Sequence, residues 1–380
     1  MDFALTQDQK MVRDMVREFA VNELEPIAAE IDESREFPHA TLKKMAGLGL
    51  MGVVIPEEYG GAGMDFTTLA IICEEISRVC ASHGVITAVN NSLCAYPIYH
   101  FGTEEQRKKY LPDLCSGKKI GAIGITEPNA GSDPASMEMT AVDKGDHYVL
   151  NGTKLWITNG QAAGTFVIFA YTDPEERHKG MSAFIVESDF QGFSVGKHEN
   201  LMGIRATGDC ELIMDECIVP KENLLGEEGQ GFKIVMHTLD VSRIDIGAQG
   251  VGISQGALDA AIKYAKEREQ FGKPIASFEM VQDMIAQMSA QTDAARLLVY
   301  RSASMKDSGV ERFTREAAIA KYFAAETAVA VTRMAVQIHG GNGYSKEYAV
   351  ERMYRDAKII EIYEGTSQIQ KIVIARNALK

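Results

Sequence analysis

The apolar positions of this chain change period twice. From Thr6 to about Lys119 the period is helical: Met11, Val12, Met15, Val16 and Phe19 recur at the 3.6-residue spacing that lines one helix face. Thr6-Gln-Asp-Gln9 just before them has the form of a capping box, which satisfies the first free N–H groups of a helix. Pro38 breaks the pattern, and a second helix is predicted from about Ala40 to the glycines after Met45. Residues 56–63 (PEEYGGAG) read as a loop, and helical spacing resumes over 66–78 and from about Val85.

Between about 120 and 228 the runs become short and strand-like: Tyr148-Val-Leu, Leu155-Trp-Ile, Phe166-Val-Ile-Phe-Ala-Tyr, Ala183-Phe-Ile-Val and Glu211-Leu-Ile-Met. Asp146, Asn151-Gly152, Asn159-Gly160 and Gln191-Gly192 supply turns between them, which predicts a small antiparallel sandwich or barrel. From about 229 the long period returns, with helices predicted over 257–268, 281–305, 312–338 and 367–379. The order predicts an α+β protein: an all-α domain over 1–119, a β domain over 120–228 and an α-helical bundle over 229–380.

A 380-residue chain with 46% apolar and 24% charged residues can bury a large core, which excludes disorder and small disulfide scaffolds. The net charge of −14 argues against nucleic-acid and anionic membrane partners. The longest uncharged apolar run, near residues 47–56, is far short of the roughly 20 residues a bilayer requires. The first residues carry no basic or apolar leader pattern, so a bacterial cytoplasmic location is expected. The six cysteines form no CxxC pair and have no histidine at ligand spacing; reduced, buried thiols and no metal site are expected.

Gly47-Leu-Gly49-Leu-Met-Gly52 matches a dinucleotide fingerprint, but a helix precedes it and Val53-Val-Ile-Pro follows, so it reads as a helix end. Five polar, glycine-containing segments remain: GITEPNAGSD at 124–133, LWITNG at 155–160, REQFGKP at 268–274, QIHGGNGY at 337–344 and IYEGTSQIQ at 362–370. Each also has a bland reading, such as turns at Glu127-Pro and Gly131-Ser-Asp, a helix stop at His339-Gly-Gly, or an N-cap at Thr366.

Together, in this order and spacing, the five segments resemble the acyl-CoA dehydrogenases along essentially the whole chain. The resemblance implies a helical domain, a β domain and a C-terminal four-helix bundle. It also implies FAD, an acyl-CoA substrate, electron-transferring flavoprotein as electron partner, a place in fatty acid metabolism and a homotetramer. Glu364 corresponds to the family's catalytic carboxylate, which takes the α-proton while the β-hydride passes to flavin N5. Its apolar neighbours should raise its pKa toward working pH. Along the flavin the resemblance sets Ile123, Ile125, Thr126 and Ser132 on one side and Trp156, Ile157 and Thr158 on the other. Arg268, Phe271, Gln337, Gly340 and Gly341, with Thr366 and Gln368, correspond to contacts to the FAD of a neighbouring subunit. Ser132, Asp240, Arg243, Tyr363 and Gly365 correspond to substrate contacts, although Asp240 and Arg243 also suit an i,i+3 pair. Glu127 reads as structural. Glu279 stands where the family commonly has Gln, and so is not counted among the FAD contacts.

Some branches carry the base near the position of Ser242, and serine cannot serve there. No Lys or Arg lies between Arg78 and Arg107, so a dicarboxylate tail would be unpaired. Val89-Asn-Asn-Ser-Leu93 resembles the short-chain branch, which acts on butyryl-CoA. The alternatives are a medium- or branched-chain specificity and, in another class, a flavin oxidase or monooxygenase on the same fold.

Overall fold

Thr6 does begin a helix. Its hydroxyl accepts from the Gln9 N–H at 3.1 Å, and the Gln9 side chain accepts from the Thr6 N–H. This computed structural model describes residues 4–380; residues 1–3, the start of the stretch read for a leader, lie outside the described residues. The first helical part comprises α1 (Gln7–Phe19), α2 (Ala28–Ser34), α3 (His39–Gly47), α4 (Phe66–Ser77), α5 (Ala81–Ala88), α6 (Tyr96–Phe101) and α7 (Glu104–Cys115). α5 and α6 are continuous through a π-helical segment, Val89–Ala95. That segment holds two fully buried asparagines. Asn91 accepts from Val53 N–H at 2.7 Å and donates to Leu50 O, while Asn90 accepts from Gly121 N–H at 2.8 Å and donates to Met51 O. The two amides thus tie the loop after α3 and the first strand to this helix, and a π-bulge is the kind of irregularity that presents such side chains.

The middle part is one eight-stranded sheet, in the order β6-β7-β3-β2-β4-β5-β8 with β1 beside β4. Its strands are β1 (Ile120–Gly124), β2 (Thr140–Asp143), β3 (His147–Ile157), β4 (Ala163–Tyr171), β5 (Met181–Glu187), β6 (Phe193–His198), β7 (Cys210–Pro220) and β8 (Leu224–Leu225). Most pairs are antiparallel as predicted, but β1 pairs with β4 in parallel, and a single bridge joins β2 to β4 in parallel. The cause is the connection 125–139, which carries the chain over the end of the sheet before the β2–β3 hairpin forms. That connection also forms one wall of the site described below.

The second helical part comprises α8 (Gly231–Glu267), α9 (Glu279–Asp307), α10 (Thr314–His339), α11 (Ala349–Ile360) and α12 (Ser367–Ala378). Two expectations are corrected here. α8 begins at Gly231, not near Ala257, and α11 was not foreseen. The start of α8 is obscured by glycines that weaken helix propensity. Packing demands them: a Cβ on Gly252 would lie 2.3 Å from Glu74 O, and one on Gly256 would lie 2.1 Å from Arg78 O. A single apolar cluster runs from Leu69 and Ile72 of α4 through Val167 and Phe169 of β4 to Val241 and Ile244 of α8. The sheet is therefore packed into the helices. All six cysteines are buried and unpaired, and no helix of the described residues is long and apolar enough to cross a membrane.

Glu127 is structural, as read from sequence. It is buried, accepts from the N–H groups of Glu138 and Met139, and meets the fully buried Lys154 ammonium at 2.6 Å. This pair pins the 125–139 connection to β3. Lys154→Met removes one charge and leaves the other buried, so a loss of about 3–5 kcal/mol is expected in chemical denaturation. Adding Glu127→Gln should recover part of that loss.

Candidate functional site

Where the β domain meets α5, α8 and the α11–α12 connection, a pocket of about 570 Å³ opens. Ile123, Ile125, Thr126, Gly131 and Ser132 come from β1 and the connection after it. Trp156, Ile157 and Thr158 come from the end of β3. The β3–β7 register shifts between Lys154 and Ile157, and Leu155 N–H bonds instead to Thr126 O at 2.9 Å. Such a bulge re-aims side chains: Trp156, at φ +59°, turns outward and is 55% exposed. The hydroxyls of Thr126 and Ser132 and the indole of Trp156 make no hydrogen bond to any described residue. They are polar groups along one pocket without partners among the described residues.

Thr158 differs. Its hydroxyl lies 3.2 Å from Asp209 Oδ1, and Thr207 donates to the other carboxyl oxygen at 2.5 Å. Burial pushes Asp209 up to about 6, against the effect of the two hydroxyls. Asp209 sits on the loop before β7, and its place in the pocket wall had no sequence signal.

The opposite wall is the connection 361–366. Glu364 has φ +55° and Gly365 φ +88°, two successive left-handed residues. For Glu364 that conformation costs about 1–2 kcal/mol. It is held from both sides: Gln370 Nε2 donates to Glu364 O at 2.8 Å and to Gly365 O at 3.1 Å, and Lys321 Nζ donates to Gly365 O at 2.7 Å. The result is that the Glu364 carboxyl group faces the pocket, while the Glu364 N–H has no acceptor among the described residues. Ser242 Oγ donates to Glu364 Oε2 at 2.5 Å. Burial raises the Glu364 pKa above the usual carboxylate range, opposed by the Ser242 bond and then by the charges of Arg243 and Lys321. The direction is the one expected from sequence.

Tyr363, Gly365 and Thr366 also line the pocket, and Thr366 caps α12 through Ile369 N–H at 3.2 Å. Asp240 and Arg243 form the i,i+3 pair, at 2.7 Å, and do not line the pocket; Asp240 also accepts from Thr314. Arg268, Phe271, Gln337, Gly340, Gly341 and Gln368 are exposed and lie outside it. Tyr264, one turn before Arg268, stacks on His339 with ring centroids 4.2 Å apart and accepts from Asn342. The motifs at 268–274 and 337–344 therefore share one end of the bundle. Glu279 is exposed in the first turn of α9, where a carboxylate suits the helix dipole.

Sequence reasoning missed Lys321, although the signal was present. Ala317, Ala324 and Ala328 share its face of α10 and are buried, so a lysine at that spacing stands out. It missed Ser242 as a donor to Glu364. Val85, Val89, Leu93 and Ile246 form the aliphatic part of the lining. The charged side chains of Arg355 and Lys358 line the pocket as well.

Three family models match: "Acyl-CoA dehydrogenase, N-terminal domain" over residues 6–118, the middle domain over 122–217 and the C-terminal domain over 229–379. The chain is 54% identical over 375 residues to the short-chain specific acyl-CoA dehydrogenase of Clostridium acetobutylicum, covering 99% of both chains. It superposes on butyryl-CoA dehydrogenase from Megasphaera elsdenii with a TM-score of 0.98 at 43% identity, covering 100% of both. It also superposes, with a TM-score of 0.99 at 49% identity and 100% coverage of both, on a chain from Acidaminococcus fermentans reported with electron transferring flavoprotein and flavin-based electron bifurcation.

Removing the Ser242 donor tests the electrostatics of this site. A hydrogen bond to a charged group contributes about 1.5–3 kcal/mol, so Ser242→Ala should raise the midpoint at which Glu364 ionises by about one pH unit or more. The infrared carboxyl band of Glu364, identified by its loss in Glu364→Gln, reports that midpoint.

Proposed function

The chain belongs to the acyl-CoA dehydrogenase family, and from that premise we propose that it interconverts butyryl-CoA and crotonyl-CoA. The family is FAD-dependent, and the enzyme is an oxidoreductase of that class. The observation that carries the specific reading is the Glu364 backbone. One left-handed residue in the pocket wall carries both a carboxyl group with a raised pKa and an N–H without an acceptor among the described residues.

These are the groups that acid–base chemistry next to a thioester requires. The α-hydrogen of an acyl thioester leaves as a proton, and the Glu364 carboxylate accepts it on an Oε atom. Its raised pKa brings base strength closer to that of the carbon acid than an exposed glutamate would have. The Glu364 N–H donates to the thioester carbonyl, where negative charge grows as the proton leaves. Gly365 gives the thioester room beside the backbone. Arg243 stays paired with Asp240, so its charge reaches Glu364 without forming an ion pair with it.

The pocket fits FAD by its donor set: Thr126, Ser132 and Trp156 present unpartnered polar groups, and Ile123, Ile125 and Ile157 supply apolar wall. Thr158 offers a hydroxyl already set by Asp209. Bound there, FAD supplies the acceptor for the β-hydride. Arg268, Phe271, Gln337, Gly340, Gly341 and Gln368 lie outside this pocket, and this supports their serving the FAD of a second copy in a homotetramer. Val85, Val89, Leu93 and Ile246 offer a short acyl tail aliphatic contacts, and the lining cations Arg355 and Lys358 are already paired with Asp32, Glu351 and Glu361; this favours a C4 chain over a dicarboxylate. Electron-transferring flavoprotein is the proposed electron partner, in keeping with the Acidaminococcus resemblance, and the bacterial cytoplasm the proposed location.

Two measurements test this. Acyl-CoAs of graded length added anaerobically should bleach the flavin fastest at C4; preference for C8 or longer would refute the short-chain assignment. In single turnover, Glu364→Gln should slow bleaching by roughly 10²- to 10⁴-fold with FAD content kept, whereas a merely dipole-compensating glutamate would cost stability and leave the rate.

The shared FAD site makes a separate prediction. Arg268→Ala should lower FAD retention and shift sedimentation toward smaller species together, since ligand and assembly are linked. A wild-type monomer that stays saturated with FAD would overturn the shared site.

A further inference from the structure

Two lysines are fully buried, Lys154 and Lys321. Lys154 has a carboxylate at 2.6 Å. Lys321, in α10, has none within ion-pair distance among the described residues; its one hydrogen bond goes to Gly365 O at 2.7 Å. Burying an ammonium is costly, and a lysine kept for packing alone could be replaced by a neutral side chain at a gain. The groups around it explain its retention. Arg243 on α8 is balanced by Asp240, and Glu361 and Glu326 act on Lys321 more weakly than Glu364 does. The largest favourable charge on Lys321 is that of Glu364, and Lys321 in turn is among the few groups that favour the Glu364 carboxylate. Asp245, also within the field of Glu364, is pushed up to about 8 by burial and by that charge, so it is neutral beside the pair.

We propose that Lys321 is the positioning residue of the base: its ammonium clamps the left-handed Glu364–Gly365 turn through the Gly365 carbonyl and is the buried countercharge of the Glu364 carboxylate. This rests on the reading of Glu364 as the base. The two roles are separable. The clamp needs only a donor at the position of Nζ, and the countercharge needs the full positive charge. Burial pushes Lys321 down to about 7, so the charge is itself lost in mildly alkaline solution.

The sign follows. A nearby cation favours the carboxylate, so its removal raises the pKa of Glu364, typically by about 1–3 units for a close pair. A base works only above its pKa, so the acid limb of the rate profile must move to higher pH.

The test compares Lys321→Gln, which retains a donor, with Lys321→Met, which retains neither donor nor charge. Both should raise the infrared midpoint of Glu364 by about 1–3 units. Lys321→Gln should regain a near wild-type rate of flavin reduction above the new midpoint. Lys321→Met should stay slow at every pH, by up to about 100-fold, as expected of a misplaced catalytic group. Unmoved midpoints in both variants overturn the countercharge, and full recovery of Lys321→Met at high pH overturns the clamp. A loss of thermal stability alone, with midpoint and rate kept, overturns both. The infrared midpoint needs no turnover. If the wild type fails to reduce its flavin with butyryl-CoA, the proposed reaction falls while the electrostatic pairing is still tested.

Discussion

The site depends on one constrained residue. Glu364 lies in the left-handed region, where a side chain with Cβ is strained, and Gly365 follows it there. Strain of this kind persists only where the surroundings over-determine it. Here the carbonyls of the two residues receive three donated bonds, two from Gln370 and one from Lys321. Gly365 is required twice over, because a Cβ would meet Gln370 Nε2 at 2.7 Å. A right-handed Glu364 would carry its carboxyl group and its N–H in directions set by a helix. Left-handed, Glu364 lines the pocket instead.

The facing wall is built by departures from regular structure that serve the same end. The bulge in β3 turns Trp156 outward, and the π-helical segment sets Val89 and Leu93 into the pocket lining while its asparagines hold the loops behind. A regular strand or helix would satisfy its own backbone and leave these loops to water. The glycines of α8 extend this logic: Gly252 and Gly256 let α4 pack closely against that helix, from which Ser242 bonds to Glu364 and Ile246 lines the pocket.

Elements with a clear period were legible from the residues alone. α1 announced itself through Thr6, Gln9 and the apolar stripe, and the β domain through its short runs and turns. The first half of α8 was not, because its glycines answer to neighbouring helices, which are remote in sequence. The parallel β1–β4 pairing was hidden for a similar reason: local runs do not say which strand a long connection returns to. At the site, Glu364 was identified through resemblance, and its neighbours Tyr363 and Gly365 pointed to a raised pKa. The partners Ser242 and Lys321 lie 122 and 43 residues away in the chain, and no local pattern links them to Glu364. Only the anomaly of a lysine on an alanine face was readable.

The acids around the pocket show how one carboxylate is made available among several. Asp245, on α8 one turn from Ser242, is fully buried with only Ser92 as a donor, and one of its oxygens has no partner. Burial, with the charge of Glu364 added, pushes it up to about 8. Glu364 is also raised, but it has the Ser242 hydroxyl, Arg243 and Lys321 on its side. Two acids in one electrostatic field do not both ionise at low cost. Asp245, with a single hydroxyl, stays protonated at neutral pH, while the three groups around Glu364 lower the cost of its charge. The same rule that finds acid and base in enzymes with paired carboxyls thus assigns the charge here to Glu364. Neutral Asp245 adds no repulsion toward the Glu364 carboxylate.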